Sequence, residues 1–251
     1  RILVFAAAVV VGCTTVRAET ALVAVASNFA EAADDIKAAF EAESGHRITI
    51  TLGATGKIYA QIRAGAPYDA FLAADQARAL RLEREGLARA GSRFTYAIGQ
   101  LTLWSADAQR IAGDPKAVLS SPAVRAIAMA NPALAPYGLA TRQALQKMGL
   151  WQALAPRVVT GENISQALAL TATGNAELGF VATPLLKGRR GKALGGSGWD
   201  VPAHLHAPIR QDAVLLKRAG TNAAAAGFLE FLRGPKARAI MVRLGYKPAS
   251  E

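Results

Sequence analysis

Hydrophobic positions along the chain switch between two spacings. "ALVAVASNF" (21–29) is a continuous apolar run of strand length that ends in Ser27-Asn28. Phe29, Ala32, Ala33, Ile36, Ala39 and Phe40 then recur three and four residues apart, the period of a half-buried helix. Gly45 is placed to end it. "RITITLG" (47–53) alternates like a strand, Gly56 leads into "KIYAQIRAGAP", and Gly65 and Pro67 stop this second helix. "YDAFLAAD" (68–75) reads as a buried strand and "QARALRLEREG" as the helix after it. A β-α-β-α-β order with short connections predicts an α/β protein with an open, mostly parallel sheet. Ligands of such sheets bind beyond the carboxyl ends of the strands, where Ser27-Asn28 and Thr55-Gly56 fall.

"RFTYAIGQLTLWSAD" (93–107) is longer than one sheet needs and reads as a strand crossing into a second lobe. There "AVRAIAMANPALAPYGLATRQALQKMG" predicts a strand, a Pro-rich turn and a helix opening near Tyr137-Gly138. "RVVTGENISQALALTATG" repeats the theme, with a helix after Asn163, and "AELGFVATPLL" adds a strand. "APIRQDAVLLKRAG" (207–220) is the second crossing segment, and two helical stretches in "NAAAAGFLEFLRGPKARAIMVRLGY" return to the first lobe. "KGRRGKALGGSGWDVPAH" reads as irregular. The expected bodies are therefore 21–98 with 213–251, and 99–212.

A length of 251 residues with 52% hydrophobic content supports two such lobes. Residues 2–12, "ILVFAAAVVVG", follow Arg1 and precede "VRAET", the pattern of a secretory signal (1–18) cleaved after Ala18. Arg1 rather than Met opens the sequence, so the signal is expected to start upstream. "VVGC" also matches a lipoprotein box at Cys13, the sole cysteine; release by cleavage is the preferred expectation. A net charge of +11 falls by two with Arg1 and Arg17. The basic residues are scattered and the one tight cluster, "KGRRGK" (187–192), lacks stacking aromatics, so a nucleic-acid partner is not expected. A basic exterior instead steers small anions inward.

Most catalytic and metal chemistry finds little support. His204 and His206 flank Leu205, but no cysteine or acidic cluster completes a zinc set. Ser27 lacks a G-x-S-x-G setting, and Asp75 is better placed as a helix cap than as an acid or base. "GATGK" is not a phosphate loop, because Ile58 follows Lys57. What remains is a set of neutral donors at helix starts: the hydroxyls of Ser27 and Thr55, the phenol of Tyr137, and the backbone N–H groups of Asn28, Tyr137 and Ile164. Such a set can hold a dianion without a matching cation.

The stretches "VAVASNFAEAADDIKAAFE", "GATGKIYAQIRAGAPYDAFLAADQ", "RFTYAIGQLTLW" and "VVTGENISQALALTATGNAELGFV" resemble the molybdate-binding proteins of bacterial molybdenum ABC importers. The resemblance implies a two-lobed periplasmic binding protein fold, each lobe an open mostly parallel sheet flanked by helices, with two crossing strands as hinge. It implies a non-enzymatic, exported, monomeric protein that closes on molybdate or tungstate and delivers it to a membrane permease, with no cofactor. It carries ligand positions onto Ser27, Asn28, Thr55, Tyr137 and Ile164. Many members of the family bind through a tyrosine where this chain has Ala182, so Asn28 and Tyr137 are expected to supply what residue 182 does not. Lys57 is expected to point away from the ligand. Sulfate or phosphate binding is the alternative within binding proteins, and an exported hydrolase using Ser27 with Asp75 the alternative outside them.

Overall fold

The computed structural model describes residues 18–249. The expected signal, apart from Ala18, lies outside them, as does Cys13. The strands are β1 (Thr20–Ala26), β2 (Arg47–Gly53), β3 (Ala70–Leu72), β4 (Phe94–Gly99), β5 (Leu101–Ser105), β6 (Ile127–Ala130), β7 (Val158–Gly161), β8 (Leu178–Ala182), β9 (Ser197–Asp200) and β10 (Ile209–Leu215). The helices are α1 (Ala30–Ser44), α2 (Thr55–Arg63), α3 (Ala77–Arg84), α4 (Pro115–Ser120), α5 (Pro136–Lys147), α6 (Trp151–Leu154), α7 (Ile164–Ala172), α8 (Thr183–Lys187), α9 (Arg189–Lys192), α10 (Ala223–Arg233) and α11 (Pro235–Arg243).

The strands form two five-stranded sheets, ordered β2-β1-β3-β10-β4 and β7-β6-β8-β5-β9. In the first, β1 pairs parallel with β2 and β3, and β10 runs antiparallel to β3 and β4. In the second, β6 pairs parallel with β7 and β8, and β5 runs antiparallel to β8 and β9. This is the two-lobed periplasmic binding protein fold that the sequence resemblance implied.

β1 shows why its sequence is apolar without alternation. Ala21, Val23 and Val25 pack into a core with Phe29, Ile36, Phe40 and Phe228 on one face, while Ala24 joins Ile58, Phe71 and Leu82 on the other. A strand covered on both faces has no polar side to show. α1 ends where Gly45 takes φ +72, the left-handed conformation a side chain would resist. The second lobe has its own core around Leu103, Ile127, Phe180 and Tyr137, which also takes in Ala26, Ala74 and Ile209 at the junction with the first lobe.

Several expected elements differ in detail. The strand expected over 68–75 is confined to Ala70–Leu72, because Asp75 turns the chain into α3: its carboxylate accepts the N–H of Arg78 at 2.9 Å. The crossing strand breaks between Gly99 and Leu101 into two strands in different sheets. The stretch expected to be irregular holds α9 and the edge strand β9. Glycines at 196 and 198 hide β9 from a periodicity reading. Its register is instead set by pairing with β5, from Thr102–Asp200 to Ser105–Ser197.

Candidate oxyanion-binding site

β1, β2, β6 and β7 each end at the junction of the lobes, and each leads into a helix start. Between those ends lies a pocket lined by twelve residues, among them Ser27, Asn28, Thr55, Tyr137 and Ile164. All five sequence candidates therefore meet in one place. The remaining walls are Asn163, Pro136 and small alanine and glycine residues; no Asp, Glu, Lys, Arg or His lines the pocket. The pocket is small, with no room for a sugar or peptide.

The helix starts supply donors because the first turn of a helix leaves N–H groups without a partner four residues back. At α7 the side chain of Asn163 accepts the N–H groups of Ser165 and Gln166, so the cap covers the second and third positions and not Ile164. α5 has no side-chain cap and begins with Pro136, which has no N–H, so Tyr137 carries its first backbone donor. α2 also lacks a side-chain cap. The hydroxyl of Thr55 accepts the N–H of Ala74 at 3.2 Å, which leaves its own hydrogen to donate elsewhere. Ser27 opens a single 3-10 turn that runs straight into α1, and its carbonyl accepts the hydroxyl of Ser165 from the other lobe at 3.2 Å. Helix N-terminal dipoles converging on a neutral wall favour an anion.

Asn28 and Tyr137 meet the pocket differently from their side-chain chemistry. The Asn28 amide is turned inward, donating to Gln211 at 2.8 Å and to Tyr246 at 3.2 Å, while the Tyr246 hydroxyl returns a bond to the Asn28 carbonyl at 2.8 Å. The Asn28 side chain is thus engaged, and its backbone N–H is the group left for the pocket. The Tyr137 phenol is buried, with its oxygen crowding the space a side chain at Gly99 would need; Gln211 Nε2 would lie 3.0 Å from the same point. Neither Tyr137 Oη nor Gln211 Nε2 has a hydrogen-bond partner. Burial pushes the Tyr137 phenol well above its usual range, so it stays neutral. Ala182 is fully buried at the end of β8 and does not line the pocket.

Lys57 lies outside the pocket wall, 2.8 Å from Glu162 of the second lobe. The Asp75 carboxylate is engaged by Arg78. His46 accepts the N–H of Glu19, His206 is buried beside the carbonyl of Ala207, and His204 is exposed. Among the described residues no group of three or more His, Cys, Asp or Glu could hold a metal ion, and no helix is long and apolar enough to cross a membrane. A larger cavity of ≈ 610 Å³ opens beside β4 and α11. It is too wide to enclose a small ion, and two of its guanidinium groups are committed, Arg93 to Asp212 and Glu83 and Arg233 over the Phe94 ring at 4.0 Å.

Sequence reasoning passed over Asn163, Arg78 and Gln211. An Asn before a helical period is a cap signal that could have singled out Asn163. Gln211 owes its position to contacts such as that with Asn28, 183 positions away, and the bond of Arg78 to Ala133 spans 55 positions; the local pairing of Arg78 with Asp75 does not reveal that second contact.

Residues 21–247 match the model of the bacterial extracellular solute-binding proteins. Over 246 residues the chain is 46% identical to the molybdate-binding protein ModA of Azotobacter vinelandii, covering 98% of this chain and 96% of that one. It is 45% identical to the molybdate-binding protein ModA of Rhodobacter capsulatus, covering 90% and 87%. The solved structure of the Azotobacter vinelandii periplasmic molybdate-binding protein superposes with a TM-score of 0.87 at 40% identity, covering 92% of this chain and all of that one. The chain belongs to the bacterial extracellular solute-binding protein family.

Proposed function

We infer that this chain is a binding protein that captures molybdate between its lobes and hands it to the membrane permease of an ABC importer. The observation that carries the reading is the pocket itself: four helix starts present hydroxyl and N–H donors at a wall without ionised side chains. Such a wall selects an oxyanion that arrives fully deprotonated. Hydrogen phosphate would bring a proton that wants an acceptor, and no carboxylate lines the pocket. Among deprotonated dianions, similarity to two molybdate-binding proteins favours molybdate over sulfate. Tungstate, nearly equal in size and charge, belongs to the same ligand class. The ligand set is Ser27, Asn28, Thr55, Tyr137 and Ile164, with Asn28, Tyr137 and Ile164 acting through backbone N–H groups.

Binding closes the lobe built on the sheet β2-β1-β3-β10-β4 onto the lobe built on β7-β6-β8-β5-β9 by bending at the two crossings. The protein works as an exported monomer, without catalysis. Calorimetric titration with molybdate, tungstate, sulfate and phosphate tests the reading. Tight binding of the first two, with sulfate and phosphate weaker by about a hundredfold or more, ~2.7 kcal/mol, is the expected result. Preference for sulfate or phosphate would overturn it.

A further inference from the structure

The corner that carries Tyr137 is not held by its own lobe alone. Within the second lobe, Asn131 ties the loop before α5: its carbonyl accepts the N–H groups of Leu134 and Ala135, and its side chain accepts that of Ala133. Two adjacent carbonyls of the same loop then accept donors from the first lobe. Arg78 Nη2 donates to the Ala133 oxygen at 2.8 Å, and the N–H of Gly56 donates to the Leu134 oxygen at 2.8 Å.

Both donors are set for this contact. Arg78 is fixed from behind, with its guanidinium on the Asp75 carboxylate and its backbone N–H on the same group at 2.9 Å. A guanidinium can span two acceptors in this way, whereas an ammonium offers no planar fork. Gly56 is tightly placed: a Cβ there would sit 3.0 Å from Arg78 Nη2 and 3.1 Å from both the Cα and the oxygen of Leu134, so a side chain would press on this contact. Gly56 directly follows Thr55, and Leu134 precedes Tyr137 by three residues, so the bond couples a donor corner of one lobe to a donor corner of the other.

Resting on the molybdate reading above, we propose that Arg78 is a positioning residue, acting with Gly56 to seat the loop 131–135 and so fix the Tyr137 N–H against the bound oxyanion. Neither residue's charge is the agent. Arg78 does not line the pocket and is paired with Asp75. The bonds cross between the lobes, so they form on closure and act on retention of the ligand rather than on encounter.

Stopped-flow binding and release of molybdate, with melting of the ligand-free protein, tests this in Arg78→Lys, Arg78→Gln and Gly56→Ala. The expected result is release faster by about tenfold or more in all three, association within about twofold of wild type, and little change in ligand-free melting. Arg78→Lys separates the fork from the charge. Release at the wild-type rate in Arg78→Lys, but not in Arg78→Gln, would overturn positioning in favour of simple electrostatics. Unchanged release in Arg78→Gln and Gly56→Ala would overturn the proposal outright, as would a fall in ligand-free melting with an unchanged release rate. Failure of wild type to bind molybdate would instead overturn the functional reading, which keeps the two failures apart.

Discussion

Lys57 Nζ lies 2.8 Å from Glu162 Oε2, so the one lysine in the second donor corner spends its charge on the opposite lobe and not on the pocket. Both side chains keep substantial contact with water, at 51% and 36% exposure. A pair of this kind contributes little and is weakened by salt. Lys57→Gln should therefore leave molybdate affinity within a few-fold, and the difference from wild type should shrink as ionic strength rises. A thousandfold loss in calorimetry, ~4 kcal/mol, would place the ammonium on the ligand instead.

Ser27 and Thr55 bring the only aliphatic hydroxyls to the pocket wall. Each alanine replacement is expected to cost roughly 1.5–3 kcal/mol of molybdate binding, as for hydrogen bonds to a charged acceptor. Thr55→Ala also leaves the N–H of Ala74 without its partner and should lower the melting temperature, whereas Ser27→Ala should not. Full affinity in both variants would remove these corners from the ligand set.

Tyr137 separates hydroxyl from backbone. Its phenol oxygen makes no well-formed hydrogen bond and lies by Gly99, with the side chains of Asn28 and Gln211 close enough to ease its ionisation slightly against the dominant effect of burial. Tyr137→Phe removes a buried hydroxyl that makes no well-formed bond, so ligand-free stability should change by no more than about 1 kcal/mol. Molybdate affinity should stay within a few-fold if the backbone N–H makes the contact. A loss of roughly 1–3 kcal/mol would show that the hydroxyl reaches the ligand.

Tyr96, Tyr137 and Tyr246 all have phenols raised by burial, and raised groups bind their protons more tightly folded than unfolded. Their contribution to stability is complete below the unfolded tyrosine pKa of about 10 and is lost as pH climbs toward the folded values. Spectrophotometric titration should show Tyr96, Tyr137 and Tyr246 ionising only together with alkaline unfolding. Independent titration of these three in the folded protein would contradict this.

Asp212 is fully buried in β10 and is held by Arg93, by the Thr95 hydroxyl at 2.7 Å and by Gln76 at 3.3 Å. Arg93→Met leaves that carboxylate without its cation. A loss of roughly 2–4 kcal/mol is expected in denaturant unfolding, at the low end of buried-pair values because Arg93 retains contact with water. Molybdate affinity of the folded variant should be unchanged, since neither residue lines the pocket.

The amino-acid sequence by itself determined the local grammar of this protein. Apolar runs at strand length and apolar spacings of three and four fixed β1, α1, β2, α2 and most later elements, because burial on one or both faces leaves a periodic record. It also marked the helix starts at Ser27, Thr55, Tyr137 and Ile164, since turn residues and prolines stand where strands stop. The tertiary structure decided what those starts do. Only the packing of the two sheets brings the four corners to one pocket, and only there does the Asn28 amide turn inward to Gln211, a residue 183 positions away. The same holds for Gly56, whose sequence suggests a turn but whose missing side chain makes room for Leu134 of the other lobe. Periodicity records burial, which is local; a bond between lobes depends on two surfaces that meet only after each has folded.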